Sequence, residues 1–429
     1  MKVVIVGAGV IGMSTAWRLA ADGHEVIVLE RRDGPGEETS FANGGQLSYS
    51  YVAPLAGPGV LAKVPGWLLR ADSPMRFRPS LDPAQWRWLA AFARACNAAA
   101  SEATTRKLLR LAFYSRDLMQ AFVDSEPADF GFARRGKLIV HRDAASFGAA
   151  CRLLDYQASL GCEQQALDRD ATVALEPALA GIRGEIAGAI HTPSEEVADC
   201  HRFCLSLAWL LHDRPGVSLR FGAEVQGIER EGGSGGGRGG GRITGVRTAG
   251  GIERADAVVV AGGMGSVNLL RPLGLRVPLW PLKGYSITVP IRAGVTAPHI
   301  SITDFARKIV YARIGNTLRV AGMADLVRGD TVIDRSRIAT LAGETRALFA
   351  GVAPDAEVPE QLQPWTGLRP ATPSGLPLVG ESRLRGLWLN LGHGALGFTL
   401  AMGSAGLLAD RLAGRKPAVE AGDFSAALA

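Results

Sequence analysis

Three glycines near the start of the chain are spaced to hold a pyrophosphate. Gly7-Ala8-Gly9-Val10-Ile11-Gly12 lies between an apolar run, Lys2–Val6, and a stretch of helical periodicity, Val10–Ala21. In a strand–turn–helix the first glycine permits the tight turn and the second lets the backbone approach the phosphates. The third lets the helix pack on the strand. The helix start then offers free N–H groups and the positive end of its dipole. A second apolar run, Glu25–Leu29, ends at Glu30 and Arg31, with Glu30 eighteen residues beyond Gly12. A carboxylate there accepts hydrogen bonds from both hydroxyls of an adenosine ribose and repels a 2′-phosphate. Any glycine-rich turn can spell the motif alone. Here strand, helix, second strand and terminal acid occur in order, which points to a dinucleotide but does not separate FAD from NAD.

A second spelling, Gly392-His393-Gly394-Ala395-Leu396-Gly397, follows the apolar run Leu387–Leu391 and precedes a helical stretch, Phe398–Leu412. No strand with a terminal acid comes after it. It therefore reads as a helix start aimed at a cofactor, not as a second dinucleotide fold. Such an end suits atoms where negative charge develops on reduction, such as flavin N1 and C2=O. His393 is tempting as a base, but its helix-end position favours contact with the cofactor. Cys200-His201-x-x-Cys204 has no second ligand pair and puts both thiols on one helix face, which is a packing pattern.

The elements that must position these groups change character along the chain. The chain has 429 residues, 47% hydrophobic and 21% charged, enough for two domains of a globular enzyme. Residues 84–124 read as helix, as does Ala198–Leu211. Lys137–His141, Gly188–His191, Gly284–Pro290, Lys308–Arg313 and Thr317–Gly322 read as strands without helices between all of them. That suggests an antiparallel sheet. Ser218–Phe221 and Ala255–Ala261 read as further strands, and Glu231–Arg242 as a flexible hairpin tip. The expected fold is α/β: a Rossmann-like cofactor domain with a parallel sheet (residues 1–50, 196–280 and 362–429) and an inserted α+β substrate domain with a mostly antiparallel sheet (51–195 and 281–361). The net charge of +6 is dispersed and no nucleic-acid motif accompanies it. Five cysteines, an odd number in a large chain, argue against a disulfide framework. No signal peptide or spanning segment is expected, so any membrane contact is peripheral.

Over nearly its whole length the chain resembles the D-amino-acid oxidase superfamily, and within it the bacterial D-amino-acid dehydrogenase small subunits. The resemblance rests on VVIVGAGVIG (3–12), ETSFANGGQLSYSYVAPLAGPGV (38–60), LKGYSITVPI (282–291), WTGLRPATPSGLPLVG (365–380) and LWLNLGHGALGFT (387–399). It implies FAD. It places Thr39 and Ser40 near the phosphates, and Asn43, Gly44, Gly45 and Gln46, continuing to Leu47, along the isoalloxazine edge. Ala261, Gly262 and Gly263 match a strand-end contact to the nucleotide, and Val225 a backbone contact to adenine. Gly392, His393, Gly394, Gly397, Phe398 and Thr399 complete the cofactor set. Related sarcosine oxidases hold flavin through a C-terminal cysteine. No cysteine follows Cys204 here, so FAD is expected to be non-covalent.

The same resemblance assigns Arg369, in GLRP, to a bidentate pair with a substrate carboxylate, a role a guanidinium fork fills better than an ammonium. Tyr285, in KGYS, could add its hydroxyl to that carboxylate, and Tyr311 is a further candidate. The alternatives are a surface arginine beside a proline turn and tyrosines packed in a sheet. The expected reaction is oxidation of a free D-amino acid by hydride transfer from Cα to flavin N5, then hydrolysis to a 2-oxo acid and ammonia. D-hydroxyproline dehydrogenase, glycine or sarcosine oxidase, and a non-catalytic flavin subunit are competing readings. Residues 49–70 (Tyr49, Tyr51, Pro54, Leu55, Pro58, Val60, Trp67, Leu68, Leu69) form an apolar, proline-rich loop. It suits a lid, an entry channel or a contact for a membrane quinone, or it packs against the inserted domain. A quinone or another non-oxygen acceptor is the expected electron partner, at the inner face of the cytoplasmic membrane.

Overall fold

A computed structural model describes residues 1–62, 66, 73, 75–232, 241–327, 329–352 and 359–425. Trp67–Leu69 of the apolar loop and most of the 231–242 hairpin tip lie outside them. The strands flanking that tip, Gly227–Glu231 and Arg242–Thr248, pair antiparallel.

The opening unit forms at the expected residues: strand Lys2–Val6, helix Val10–Ala21, strand Glu25–Leu29. Lys2–Val6 lies mid-sheet, parallel to Glu25–Leu29 on one side and to Ala257–Val260 on the other. Val217–Arg220 and Leu387–Leu391 extend the sheet in parallel, and Leu378–Glu381 closes one edge antiparallel. These strands are apolar on both faces because helices cover one side and a second apolar cluster fills the other. The fold class is thus the α/β arrangement expected.

The second sheet has nine described strands and is mostly antiparallel. Its exceptions are Ser301–Asp304 beside Lys137–His141 and Met75–Phe77 beside Thr317–Leu326, both parallel. The long strand Trp280–Pro290 pairs with Thr317–Leu326 and with Trp365–Ala371. Side chains alternate along it. Leu282 joins the cluster around Trp88, and Ser286 donates to the carbonyl of Ala42, whereas Tyr285, Ile287 and Val289 enter the core under helix Arg335–Leu348.

Two groupings differ from the sequence reading. Trp365–Ala371, placed with the cofactor segments, is an edge strand of the antiparallel sheet. The helical stretch 84–124 is two helices, Pro83–Ala95 and Ala98–Ser125, because Asn97 turns extended and caps the second through Ala100 N–H. Of these, Ala98–Ser125 buries Leu108, Leu111 and Met119 in the core beneath the parallel sheet, not in the inserted part. Its backbone lies so close to helix Gly397–Leu412 that a Cβ on Gly403 would sit 2.7 Å from the Leu111 carbonyl.

Candidate active site

A cavity of about 980 Å³ runs from the parallel sheet to the antiparallel one. Gly7, Gly9, Val10, Ile11, Glu30, Arg31, Thr39, Ser40, Val225, Ala261, Gly262 and Gly263 line its first part. Gly7 has φ +103°, and a Cβ there would lie 2.9 Å from Gly262 Cα. A Cβ on Gly12 would lie 1.9 Å from the Gly7 carbonyl oxygen, so only glycine lets the helix start this close to the turn. Ala8 and Gly12 themselves stand behind the wall. Glu30 is fixed by two backbone donors, Ala8 N–H at 2.8 Å and Arg32 N–H at 2.9 Å. Each of its oxygens keeps a further lone pair for another donor. The second glycine motif is built differently. A Cβ on Gly397 would meet nothing closer than 3.8 Å, so that glycine serves no close helix–strand approach.

The crossover segment after Thr39 is clamped between the sheets. Thr39 donates to Leu368 O (2.8 Å), Arg319 donates to Asn43 O (2.9 Å), and Thr399 Oγ1 accepts the Ser48 N–H (3.2 Å). Gly44 and Gly45 are pressed under Val310 and Ile314, where a Cβ would come within 3.1 and 2.7 Å. Alternation in the short strand Gln46–Leu47 puts Gln46 and Ser48 on the cavity. Leu47, expected in the cofactor set, faces the core. His393, Gly394, Gly397, Phe398 and Thr399 line the same end. Burial pulls the His393 imidazole down to about 3, so it is neutral, and its Nε2 has no partner among the described residues.

Arg369 sits at the far end, deep in the molecule, with its accessible surface on the cavity. Nη1 donates to Met323 O at 2.9 Å. The guanidinium lies flat on Gly284, where a Cβ would be 2.2 Å from Nη2. Met323 supplies that carbonyl from a left-handed conformation (φ 63°) at the irregularity where Lys283 and Tyr285 pair with Asp325 and Gly322. No carboxylate pairs with Arg369 among the described residues. Desolvation lowers its pKa and the field of Asp325 raises it; an arginine stays charged through such shifts.

The two tyrosines do not meet the expectation. Tyr285 touches the cavity wall, but its hydroxyl donates to Asp325 Oδ2 at 3.0 Å, and Asp325 in turn pairs with the fully buried Arg337. A phenol has one proton, and this one is committed away from a ligand carboxylate. Tyr311 does not line the cavity. Val310 does, so the next side chain points to the opposite face, where its ring packs edge-on against Phe349 at 5.3 Å. The resemblance put Tyr285 forward, and its bond to Asp325 decides against it; strand parity decides against Tyr311.

Sequence reasoning passed over Lys137, Gly284 and Met323. Lys137 is buried yet lines the cavity beside Tyr51. Its one signal is a charge opening a strand whose next three residues, Leu138, Ile139 and Val140, are apolar. Nearby walls are apolar: Pro54, Ala56, Trp88, Phe92 and Leu108.

The family described as FAD dependent oxidoreductase (DAO) matches residues 2–411. The chain belongs to this family. It is 56% identical to "D-amino acid dehydrogenase 2" of Ralstonia nicotianae, over 100% of both chains. Identity to "D-amino acid dehydrogenase 2" of Pseudomonas aeruginosa is 47%, over 98% of this chain and 96% of that one. A glycine oxidase structure from Geobacillus kaustophilus shares the fold, with a TM-score of 0.74 at 23% identity, covering 99% of this chain and 98% of that one.

As a family member the chain is an FAD-dependent oxidoreductase. The cavity fits FAD on three of its own features: the Gly7–Gly12 cradle, the oriented Glu30 carboxylate, and two buried polar atoms on its wall, His393 Nε2 and Ser266 Oγ, that lack partners among the described residues.

Proposed function

We propose that the protein oxidises free D-amino acids to 2-oxo acids and ammonia with non-covalent FAD, passing electrons to a quinone or similar acceptor. The observation that carries this is Arg369, a buried cation with no carboxylate partner among the described residues, facing the apolar end of a dinucleotide-shaped cavity. A ligand carboxylate supplies the missing counter-charge in a bidentate pair. The names of the relatives support the D-amino acid.

FAD supplies a two-electron acceptor for the Cα hydride. The protein contributes position and exclusion of water. Glu30, the Gly7–Gly12 turn, Thr39, Ser40 and Val225 would hold the nucleotide; the crossover from Asn43 to Gln46 and the helix start from His393 to Thr399 would hold the ring. Arg369 fixes the carboxylate, and Tyr51, Trp88, Phe92 and Leu108 take the side chain. No cysteine lines the cavity among the described residues, which supports non-covalent binding. The division into a cofactor part and an inserted substrate part is supported by sheet membership, apart from the two groupings noted above. The Tyr51–Ala56 stretch runs from the cavity to exposed Leu55, with Leu61 exposed beyond it. This supports an acceptor arriving from an apolar surface. No helix among the described residues is long and apolar enough to cross a membrane.

Anaerobic titration of the purified holoenzyme with D-, L- and N-methyl amino acids tests the proposal. D-amino acids are expected to bleach the flavin, and a quinone analogue to restore its colour faster than oxygen. Bleaching by glycine or sarcosine alone, with fast reoxidation by oxygen, would replace the reading with an oxidase. A flavin that no amino acid bleaches would make the chain a non-catalytic subunit.

A further inference from the structure

An amino acid reaches the cavity as a zwitterion, and its ammonium group cannot help expel a hydride while it carries the extra proton. A group at the ring end can receive that proton. The titratable side chains lining that end are Tyr51, Lys137, Tyr285, Lys308, Arg369 and His393. Burial pushes the Tyr51 phenol up and holds His393 down at about 3, which leaves His393 too weak a base. The Tyr285 hydroxyl is bound to Asp325, and Arg369 stays charged. Lys308 lies in the turn after Ser301–Asp304, with its ammonium 3.6 Å from the centre of the Phe305 ring.

Lys137 is placed differently. Its Nζ is 3.0 Å from Gln46 Oε1 and 2.8 Å from Ser48 Oγ, and 4.6 Å from the centre of the Tyr51 ring. A neutral lysine amine has two N–H bonds and one lone pair. Gln46 and Ser48 take the two N–H bonds, which leaves the lone pair free on a side chain that lines the cavity beside Tyr51. Once protonated, the ammonium lies within cation–π reach of the Tyr51 ring, 4.6 Å from its centre.

We propose that Lys137 accepts the proton of the substrate's α-ammonium group and so delivers the neutral amine from which hydride transfer proceeds. This rests on the amino-acid reading above. In the step, the ammonium N–H bond breaks, a bond from Nζ to that proton forms, and the electron pair stays on the substrate nitrogen. That pair then forms the C=N bond as the Cα hydride leaves for the flavin.

The surroundings suit a base that works near neutrality. Desolvation pulls Lys137 down to about 8, against the raising field of Glu195. Glu195 is buried behind it. Its Oε1 accepts the Ser50 N–H at 2.7 Å, and Oε2 has no partner among the described residues. On the flanking strands Asp304 is taken by Arg142, and His191 by Gln165. Glu196, next to Glu195, is taken by Tyr49 and Gln120. No carboxylate within salt-bridge distance holds Lys137 charged among the described residues.

The test compares Lys137→Met and Lys137→Arg with the unaltered holoenzyme. The limb of kcat/KM for D-alanine that rises through about pH 8 should disappear in both variants. The rate at that pH should fall on the order of 10²-fold, the lower range for a general base. Binding of propionate, which lacks the amine, is read separately from the flavin absorbance. In the unaltered protein it should weaken several-fold as Lys137 loses its charge above about pH 8. It should show no such change in Lys137→Met and stay tight in Lys137→Arg. Arginine thus restores the charge without the base. If Lys137→Arg recovers both rate and limb, or Lys137→Met keeps the limb at the same pH, the proposal is wrong and the lysine is a structural cation. If D-alanine does not bleach the unaltered flavin at any pH, it is the amino-acid reading that fails.

Discussion

Arg369→Ala is expected to raise KM for D-alanine by on the order of 10²–10⁴-fold while the protein keeps its FAD. Two charge-assisted hydrogen bonds contribute roughly 1.5–3 kcal/mol each, and about 1.4 kcal/mol is a factor of ten. The flavin should remain because the cradle around Gly7, Glu30 and Val225 lies at the other end of the cavity. Arg369→Lys should recover only part of the loss, since an ammonium cannot form the paired bonds. Gly284→Ala gives an independent check. Its Cβ would stand 2.2 Å from Nη2 and drive the guanidinium off its seat, so it should reproduce the KM defect with the arginine still present. Steady-state kinetics with flavin absorbance as the loading control reads both. An unchanged KM in Arg369→Ala would remove this residue from substrate binding.

Asp325→Ala should produce the largest loss of stability, about 3–5 kcal/mol, as when one partner of a buried pair is deleted. Arg337 is fully buried and donates to both oxygens of Asp325 and to the carbonyl of Ser73. Without Asp325 its charge loses its carboxylate, and Tyr285 loses its acceptor. Equilibrium denaturation in urea measures the change, with the midpoint falling at constant slope. Asp325→Asn should fall between, because an amide still accepts from Tyr285 but cannot neutralise Arg337. A loss below 1 kcal/mol would mean that Arg337 finds another carboxylate or water.

What the sequence made legible was whatever repeats locally. The βαβ opening came through residue for residue, because its glycines, apolar runs and terminal acid lie within one short window. The strand Leu387–Leu391 and the helix after it were equally plain. What depends on which face of a strand a side chain occupies was hidden. Tyr311 and Leu47 have suitable residue types and neighbours, yet each is one position out of phase with the cavity. The Asn97 break was hidden because helical apolar spacing resumes directly after it. Lys137 was nearly hidden for another reason. Its partners, Gln46, Ser48 and Tyr51, lie about ninety residues upstream in and after a two-residue strand, and no spacing rule connects that segment to a distant strand.

The central place of Lys2–Val6 in the parallel sheet has a bearing on how the protein is made. Lys2–Val6 is made before its partners and finds Glu25–Leu29 at once. Its other neighbour, Ala257–Val260, comes some 250 residues later, and Leu387–Leu391 later still. The nascent chain therefore carries a half-built nucleotide pocket, with apolar strands uncovered, through most of its synthesis. Chains shortened before residue 387 should retain no FAD, and a flavin-coloured product would signify a chain that includes Leu387–Leu391.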